Sequence, residues 1–174
     1  MARIAVLTVS DRAFRGEYED RGGPACEAWL RGVITSEVEI LRQITPDGRV
    51  EVAAALRDLA DTWGADLILA TGGTGPAPRD QTPEAMADVI TMELAGFGEA
   101  MRAANSRVVA TAILSRQSAG VRGKTLIITL PGSPSAISTS LEAIFAAVPY
   151  CLDLIGAARI ETDPAVIKAH RPKT

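Results

Sequence analysis

Apolar positions along this chain fall into two spacings, short continuous runs and recurrences every three to four residues, and the two trade places repeatedly. Residues 3–9, an arginine followed by a stretch apolar except for Thr8, predict a buried strand. Residues 24–34 predict a helix opened by Pro24, whose fixed φ suits a first helical position. Residues 38–44 alternate as a second strand, and Val52, Leu56, Leu59 and Trp63 recur at the spacing of a helix covering one sheet face. Residues 67–71 read as a third strand. Thr82, Pro83 and Glu84 then read as an N-cap, a first-turn proline and a dipole-matched acid, starting a helix that runs to about residue 92.

Beyond that the pattern weakens. Gly96-Phe97-Gly98 predicts a break, followed by a helix over 99–106 and a short apolar piece over 110–114. Residues 115–124 are polar and carry glycine, which predicts a loop or hairpin turn. Residues 125–130 read as a central strand, and 135–148 as a helix turning Ile137, Leu141, Ile144, Phe145 and Val148 inward. From Glu161 onward, Pro164, Pro172 and scattered charges predict a segment wrapping the surface. Strands alternating with helices are the signature of an α/β sheet. With no repeat, linker or low-complexity tract, residues 1–174 predict one domain.

Composition narrows the function. Apolar residues at 47% and charged residues at 22% suit a globular protein, and the chain is long enough to build a core without disulfide or structural metal. A net charge of −3 argues against a nucleic-acid partner held by a broad basic surface. An anionic substrate would need local arginines, backbone dipoles or a metal. Cys26 and Cys151 lack metal-ligand spacing and predict buried thiols in a reducing compartment. The amino-terminal apolar stretch is too short to span a bilayer, so the expectation is a cytoplasmic protein with no membrane partner.

The chemistry concentrates in TGGTGPAPRD, residues 71–80, directly after the third strand. Glycines there let the backbone turn sharply and present consecutive N–H groups to an anion, at the strand end where open α/β sheets bind ligands. No Gly-Lys-Ser/Thr follows, so this is not a P-loop. Asp80 would repel a bare phosphate but hold a divalent cation bridging to one. With Thr82 already at the cap position, Asp80 is free for such work, and Arg79 can keep it ionised or touch phosphate itself.

Asp47, in ITPDGR after the second strand, is either a turn or cap residue or a second acid on that rim. If strands 2 and 3 are neighbours, Asp47 and Asp80 converge and share hydrated Mg²⁺. Ser10, Asp11 and Arg12 end the first strand on the same rim. The turn Pro131-Gly132-Ser133-Pro134 opens a helix whose first amides suit a phosphate, with Ser133 as hydroxyl donor. Ser115, Arg116 and the residues around Gly120 offer positive charge. His170, the single histidine, is remote from this constellation, which excludes a Ser/His/Asp mechanism.

Together VSDR, TPDG, TGGTGPAPRDQTPEA, GFGEAMR, AILSRQSAGVRGKTLIITLPGSP and VPYCLDLI resemble the MoaB/Mog family of molybdenum-cofactor biosynthesis, its molybdopterin adenylyltransferases in particular. The resemblance spans almost the whole chain. It implies a three-layer α/β fold, a mostly parallel sheet with helices on both faces, assembled as a homotrimer. It implies transfer of an adenylyl group from Mg²⁺-ATP to molybdopterin with release of pyrophosphate, and hand-over of the product to a molybdate insertase. Asp47 and Asp80 then match the family's two essential acids, as metal ligands. Thr71, Gly72, Gly73, Thr74, Gly75 and Arg79 match the nucleotide and phosphate pocket. Ser10, Asp11, Ser115, Arg116, Gly120, Pro131, Gly132 and Ser133 match positions around nucleotide and pterin. Ser135 stands where several relatives carry a lysine. Two alternatives stay open: a non-catalytic pterin-binding paralogue, and a nucleotide pyrophosphatase of the competence-protein type.

Overall fold

The first strand, β1 (Ala2–Val9), lies inside the sheet rather than at its edge. In the computed structural model, which describes residues 1–172, six strands run in the order β2-β1-β3-β6-β5-β4. The others are β2 (Val38–Thr45), β3 (Leu67–Thr71), β4 (Met92–Glu93), β5 (Ala119–Arg122) and β6 (Thr125–Leu130). The first four in that order pair in parallel, whereas β6 with β5 and β5 with β4 pair antiparallel. β1, β3 and β6 are buried almost throughout, as their apolar runs require of strands covered on both faces. The predicted neighbours β2 and β3 are not adjacent, because β1 lies between them.

Side-chain alternation divides the interior into two layers. Ile4, Val6, Leu67, Leu69, Ile128 and Leu130 pack under α2 (Gly22–Val33), α5 (Ala95–Ser106), α6 (Pro134–Ile144) and α7 (Val148–Ile155). Ala5, Leu7, Ile68, Ala70 and Ile127 face the opposite way, under α3 (Arg49–Arg57) and α4 (Thr82–Ala87). Val52, Leu56 and Leu59 are buried on that side as their spacing predicts, with Trp63 half-buried. The architecture is therefore three-layer α/β with helices on both faces.

Several boundaries differ from the sequence reading, each for a physical reason. A short helix, α1 (Asp11–Phe14), follows β1. The Ser10 hydroxyl caps it, accepting from the Ala13 amide. Thr82 is the first helical residue rather than the cap, and its hydroxyl donates to the Gly72 carbonyl instead. α4 stops at Ala87 because Met92 and Glu93 leave to pair with β5. Gly96-Phe97-Gly98 does not break the helix: α5 runs through it, and a Cβ at Gly98 would collide with the Gln117 carbonyl. Residues 110–114 form a 3-10 turn, and the polar stretch after them contains β5, hairpinned to β6. The helix expected over 135–148 ends at Ile144. A second begins at Val148, bent 65° from the first. Its Pro149 sits in the first turn, where a missing N–H costs nothing.

Both cysteines are unpaired, Cys26 buried as expected and Cys151 only half so. The terminal segment is pinned where Thr162 bridges to Ile34 and Arg171 donates to Asp153 at 2.5 Å. No single helix among the described residues is long and apolar enough to cross a membrane.

Candidate active site

Because β1, β2, β3 and β6 are parallel and in register, their carboxyl ends share one rim. The chain leaves β1 toward β2 on one side and returns to β3 on the other, so the strand order reverses between β1 and β3. That reversal opens a crevice above the strand ends, the usual ligand position in such sheets. A cavity of about 430 Å³ occupies it. Its floor is the end of β1 (Thr8, Val9, Ser10), the end of β3 (Thr71, Gly72) and the Gly132-Ser133-Pro134 turn. Its outer wall is Arg12, Tyr18, Asp20 and Arg21, from α1 and the segment joining it to α2.

The glycine loop has the conformation its composition predicts. Gly72 and Gly73 hold φ values of 103° and 63°. That left-handed region suits glycine, and a side chain at either position would also collide with Val9 or Thr82. Thr82 fastens the turn with its hydroxyl on the Gly72 carbonyl and its amide on the Gly73 carbonyl, at 2.9 and 3.1 Å. Thr71 ties the loop to the neighbouring turn, its hydroxyl donating to the Pro131 carbonyl at 2.7 Å. The amides of Gly73, Thr74 and Gly75 donate to no acceptor among the described residues, which leaves a nest of N–H groups for an anion. The first turn of α6 adds the unpaired amides of a helix N-terminus.

Asp47 and Asp80 both stand on this rim, but not by direct convergence of adjacent strands. The end of β1 lies between them. Asp11 and Asp47 exchange bonds, the Asp11 amide donating to Asp47 Oδ2 at 2.8 Å and the Asp47 amide to Asp11 Oδ1 at 3.1 Å. The Arg79 guanidinium pairs with Asp11 Oδ2, and the Arg49 amide donates to Gln81 at 3.1 Å. The two acid-bearing loops are thus fastened together, with a cavity of about 270 Å³ lined by Asp47, Gly48, Glu51, Pro78, Arg79 and Gln81. Asp80 Oδ2 accepts from the Ala77 amide at 3.2 Å. No hydrogen bond from the described residues reaches Oδ1 of either Asp47 or Asp80, so each offers an open carboxylate oxygen. The described residues contain no cluster of three carboxylate, imidazole or thiolate groups able to cage a cation alone.

A second cavity, about 180 Å³, lies between α5, the 3-10 turn and the start of α6. Val108, Val109, Ala112, Pro131 and Ala136 make much of its wall. Ser115 bridges Thr74 Oγ1, at 3.1 Å, to Gln117 Oε1. Gln117 is 1% exposed, yet its Nε2 has no partner among the described residues. A buried amide without an acceptor is costly unless something else supplies one. Ser133 lines this cavity and the switch-point cavity alike.

Three comparisons identify the family. Residues 5–150 match the family model described as "Probable molybdopterin binding domain". A molybdopterin adenylyltransferase of Helicobacter pylori is 47% identical, over 98% of this chain and 97% of its own. One from Haemophilus influenzae is 42% identical over 100% and 94%. The crystal structure of the molybdopterin biosynthesis enzyme MoaB from Thermus thermophilus superposes with a TM-score of 0.80 at 45% identity, covering 89% of this chain and 96% of that one. The chain belongs to the molybdopterin-binding family.

Within this family member the rim holds Ser10, Asp11, Asp47, Thr71 to Gly75, Arg79, Asp80, Ser115, Arg116, Pro131, Gly132 and Ser133. Gly120 is not among them. It pairs with Ile127 inside β5, and a Cβ there would lie 2.6 Å from Ile90 and 2.8 Å from the Met92 carbonyl, so its role is packing. Arg116 is at the rim, but protein acceptors take up its guanidinium: the carbonyls of Gly75 and Asp80, and Glu84. Sequence reasoning missed Tyr18, Asp20, Arg21 and Gln117. The first three lie in a charged stretch soon after β1, on the ligand-binding end of a parallel strand, which is the available signal. Arg12 and Arg21 both face the Tyr18 ring, at 5.0 and 5.8 Å, close enough for cation–π attraction. Asp20 ties that stretch down, accepting from the Thr8 hydroxyl and the Gly23 amide.

Proposed function

We propose that this chain adenylylates molybdopterin, with a terminal phosphate oxygen of the pterin attacking the α-phosphorus of ATP and pyrophosphate leaving. Carrying the reading is one conjunction: near-full-length likeness to named molybdopterin adenylyltransferases, together with two acids and a free amide nest on one rim. Phosphoryl transfer of this kind needs positioning and charge neutralisation rather than a covalent nucleophile. The rim supplies both without an imidazole, since His170 sits beyond the far end of α6, its amide on the Ala146 carbonyl.

ATP belongs in the switch-point cavity, with the amides of Gly73, Thr74 and Gly75 and the guanidiniums of Arg12 and Arg21 facing its phosphates. The pterin ring belongs in the smaller, apolar-walled cavity, where a ring acceptor satisfies Gln117 Nε2. Ser133, shared by both, marks where phosphate meets phosphate. Mg²⁺ would neutralise the triphosphate when bound there. The open oxygens of Asp47 and Asp80 suit a hydrated cation arriving with its nucleotide, because Mg²⁺ ordinarily takes one or two carboxylates plus substrate oxygens.

Assembly as a homotrimer accounts for Met92, Val108, Val109, Ile113 and Leu114, each more than half exposed, as surfaces covered by other copies. A molybdate insertase is the proposed recipient of the adenylylated product. Burial pushes the Cys26 thiol up to about 12. Two unpaired thiols suit a reducing compartment such as the cytoplasm. The test is pyrophosphate release on mixing ATP, Mg²⁺ and molybdopterin. Release that requires both substrates supports the reading; hydrolysis of ATP without pterin, or tight pterin binding with no turnover, refutes it.

A further inference from the structure

We propose that Arg116 is a positioning residue that fixes the Asp80 loop from behind, through its main chain, rather than a cation that meets substrate. The inference rests on the adenylyl-transfer reading for its kinetic consequence, but the geometry stands apart from it. Arg116 lies just before β5, with its own amide on the Thr74 carbonyl at 2.8 Å. Its side chain then reaches back over the loop. Nε and Nη2 donate to the Gly75 carbonyl at 3.2 and 3.0 Å, and Nη2 also to the Asp80 carbonyl at 2.6 Å. Nη1 pairs with Glu84, in the first turn of α4. One planar group therefore holds both ends of the segment from Gly75 to Asp80 and anchors them to a helix.

Inside that clasp the segment makes a closed turn. The Asp80 amide donates to the Ala77 carbonyl at 2.9 Å, and the Ala77 amide to Asp80 Oδ2 at 3.2 Å. These bonds aim the Asp80 carboxylate, and they persist only if the Gly75 and Asp80 carbonyls keep their separation. Glu84 stays charged for this purpose, since its bond from Arg116 holds it below the usual carboxylate range. A lysine at 116 keeps the charge but has no rigid fork to span two carbonyls and a carboxylate at once. Loop tip residues 76–79 are exposed and depend on such tethers.

The test uses Arg116→Lys and Glu84→Gln in the full chain, read by amide exchange and by kinetics. Amide exchange at Ala77 and Asp80 rises about tenfold in Arg116→Lys, while Leu69 and Ile128 in the central strands keep their protection. Unchanged exchange at Ala77 and Asp80 overturns the clasp whatever the protein catalyses. In the transfer assay, Arg116→Lys lowers kcat about ten- to a hundredfold with KM for ATP little altered, as misplacement of a positioned group does. Glu84→Gln lowers it less. On an Asp80→Asn background the same Arg116→Lys change costs almost nothing further, because the group it positions is gone. A raised KM with normal kcat, or a full additional loss on that background, shows instead that Arg116 acts on substrate directly. A wild-type protein inactive in transfer, with exchange responding as described, overturns the proposed function and leaves the clasp standing.

Discussion

Asp47 and Asp80 reach the same rim by different routes, and the difference explains what single residues reveal about themselves. Asp80 is legible because it closes a run of glycines and prolines that has no use in a helix or strand. Asp47 sits in an ordinary Pro-Asp-Gly turn that by itself leaves both a cap and a rim acid open, and its exchange of hydrogen bonds with Asp11 shows how it is held on the rim. Gly120 misleads in the opposite direction. A glycine among serines and arginines reads as a loop for a ligand, but it marks the close approach of β4 and Ile90 to β5. Gly120→Ala should therefore destabilise the fold by about 1–3 kcal/mol, the usual cost of an overpacked site. The melting temperature should fall while KM for ATP stays at the wild-type value; a raised KM with normal stability would return Gly120 to the site.

Among elements, the nearly continuous apolar runs of β1, β3 and β6 announce themselves, since a strand covered on both faces tolerates few polar positions. The threonines that interrupt them, Thr8, Thr125 and Thr129, are hydrogen-bonded. Order among the strands does not follow from such runs. That β1 separates β2 from β3 is a matter of crossovers, and it places Asp11 where the apolar pattern alone suggests direct contact of the two acids. β4 and α7 are hidden too, the first by its two-residue length and the second by a proline that restarts a helix after a 65° bend. Ion pairs join elements in ways no local pattern shows. Arg116 holds Glu84 below its usual range, Arg49 does the same to Asp88, and Arg122 to Asp61. Carboxylates with lowered folded values lend stability above their unfolded pKa, about 4, and lose it as pH falls through the folded value. The melting temperature should accordingly drop between about pH 5 and pH 3, and less steeply in Glu84→Gln. A melting temperature flat over that range would show that these exposed pairs carry no net stability.

At the scale of the whole molecule, the fold presents one ligand-binding end, four strand tips in register, with two cavities meeting at Ser133. Nothing in the apolar pattern separates a side chain that faces the core from one left on the surface. Ile113, part of the short apolar piece over 110–114, is 70% exposed. Light scattering should give three times the mass of one chain, and Ile113→Glu should shift the population toward the monomer. A wild-type protein that stays monomeric at micromolar concentration would contradict the proposed assembly.

Under the proposed function, Asp47 and Asp80 act as one unit on a nucleotide seated over the glycine loop. Single-turnover adenylyl transfer by the wild type, Asp47→Asn, Asp80→Asn and the double variant tests it most directly. Each single change should slow transfer about a hundredfold with the fold intact, and the double variant should be little slower than either, as for groups that work together. Near-normal transfer by either single variant, or losses that multiply in full, would contradict it.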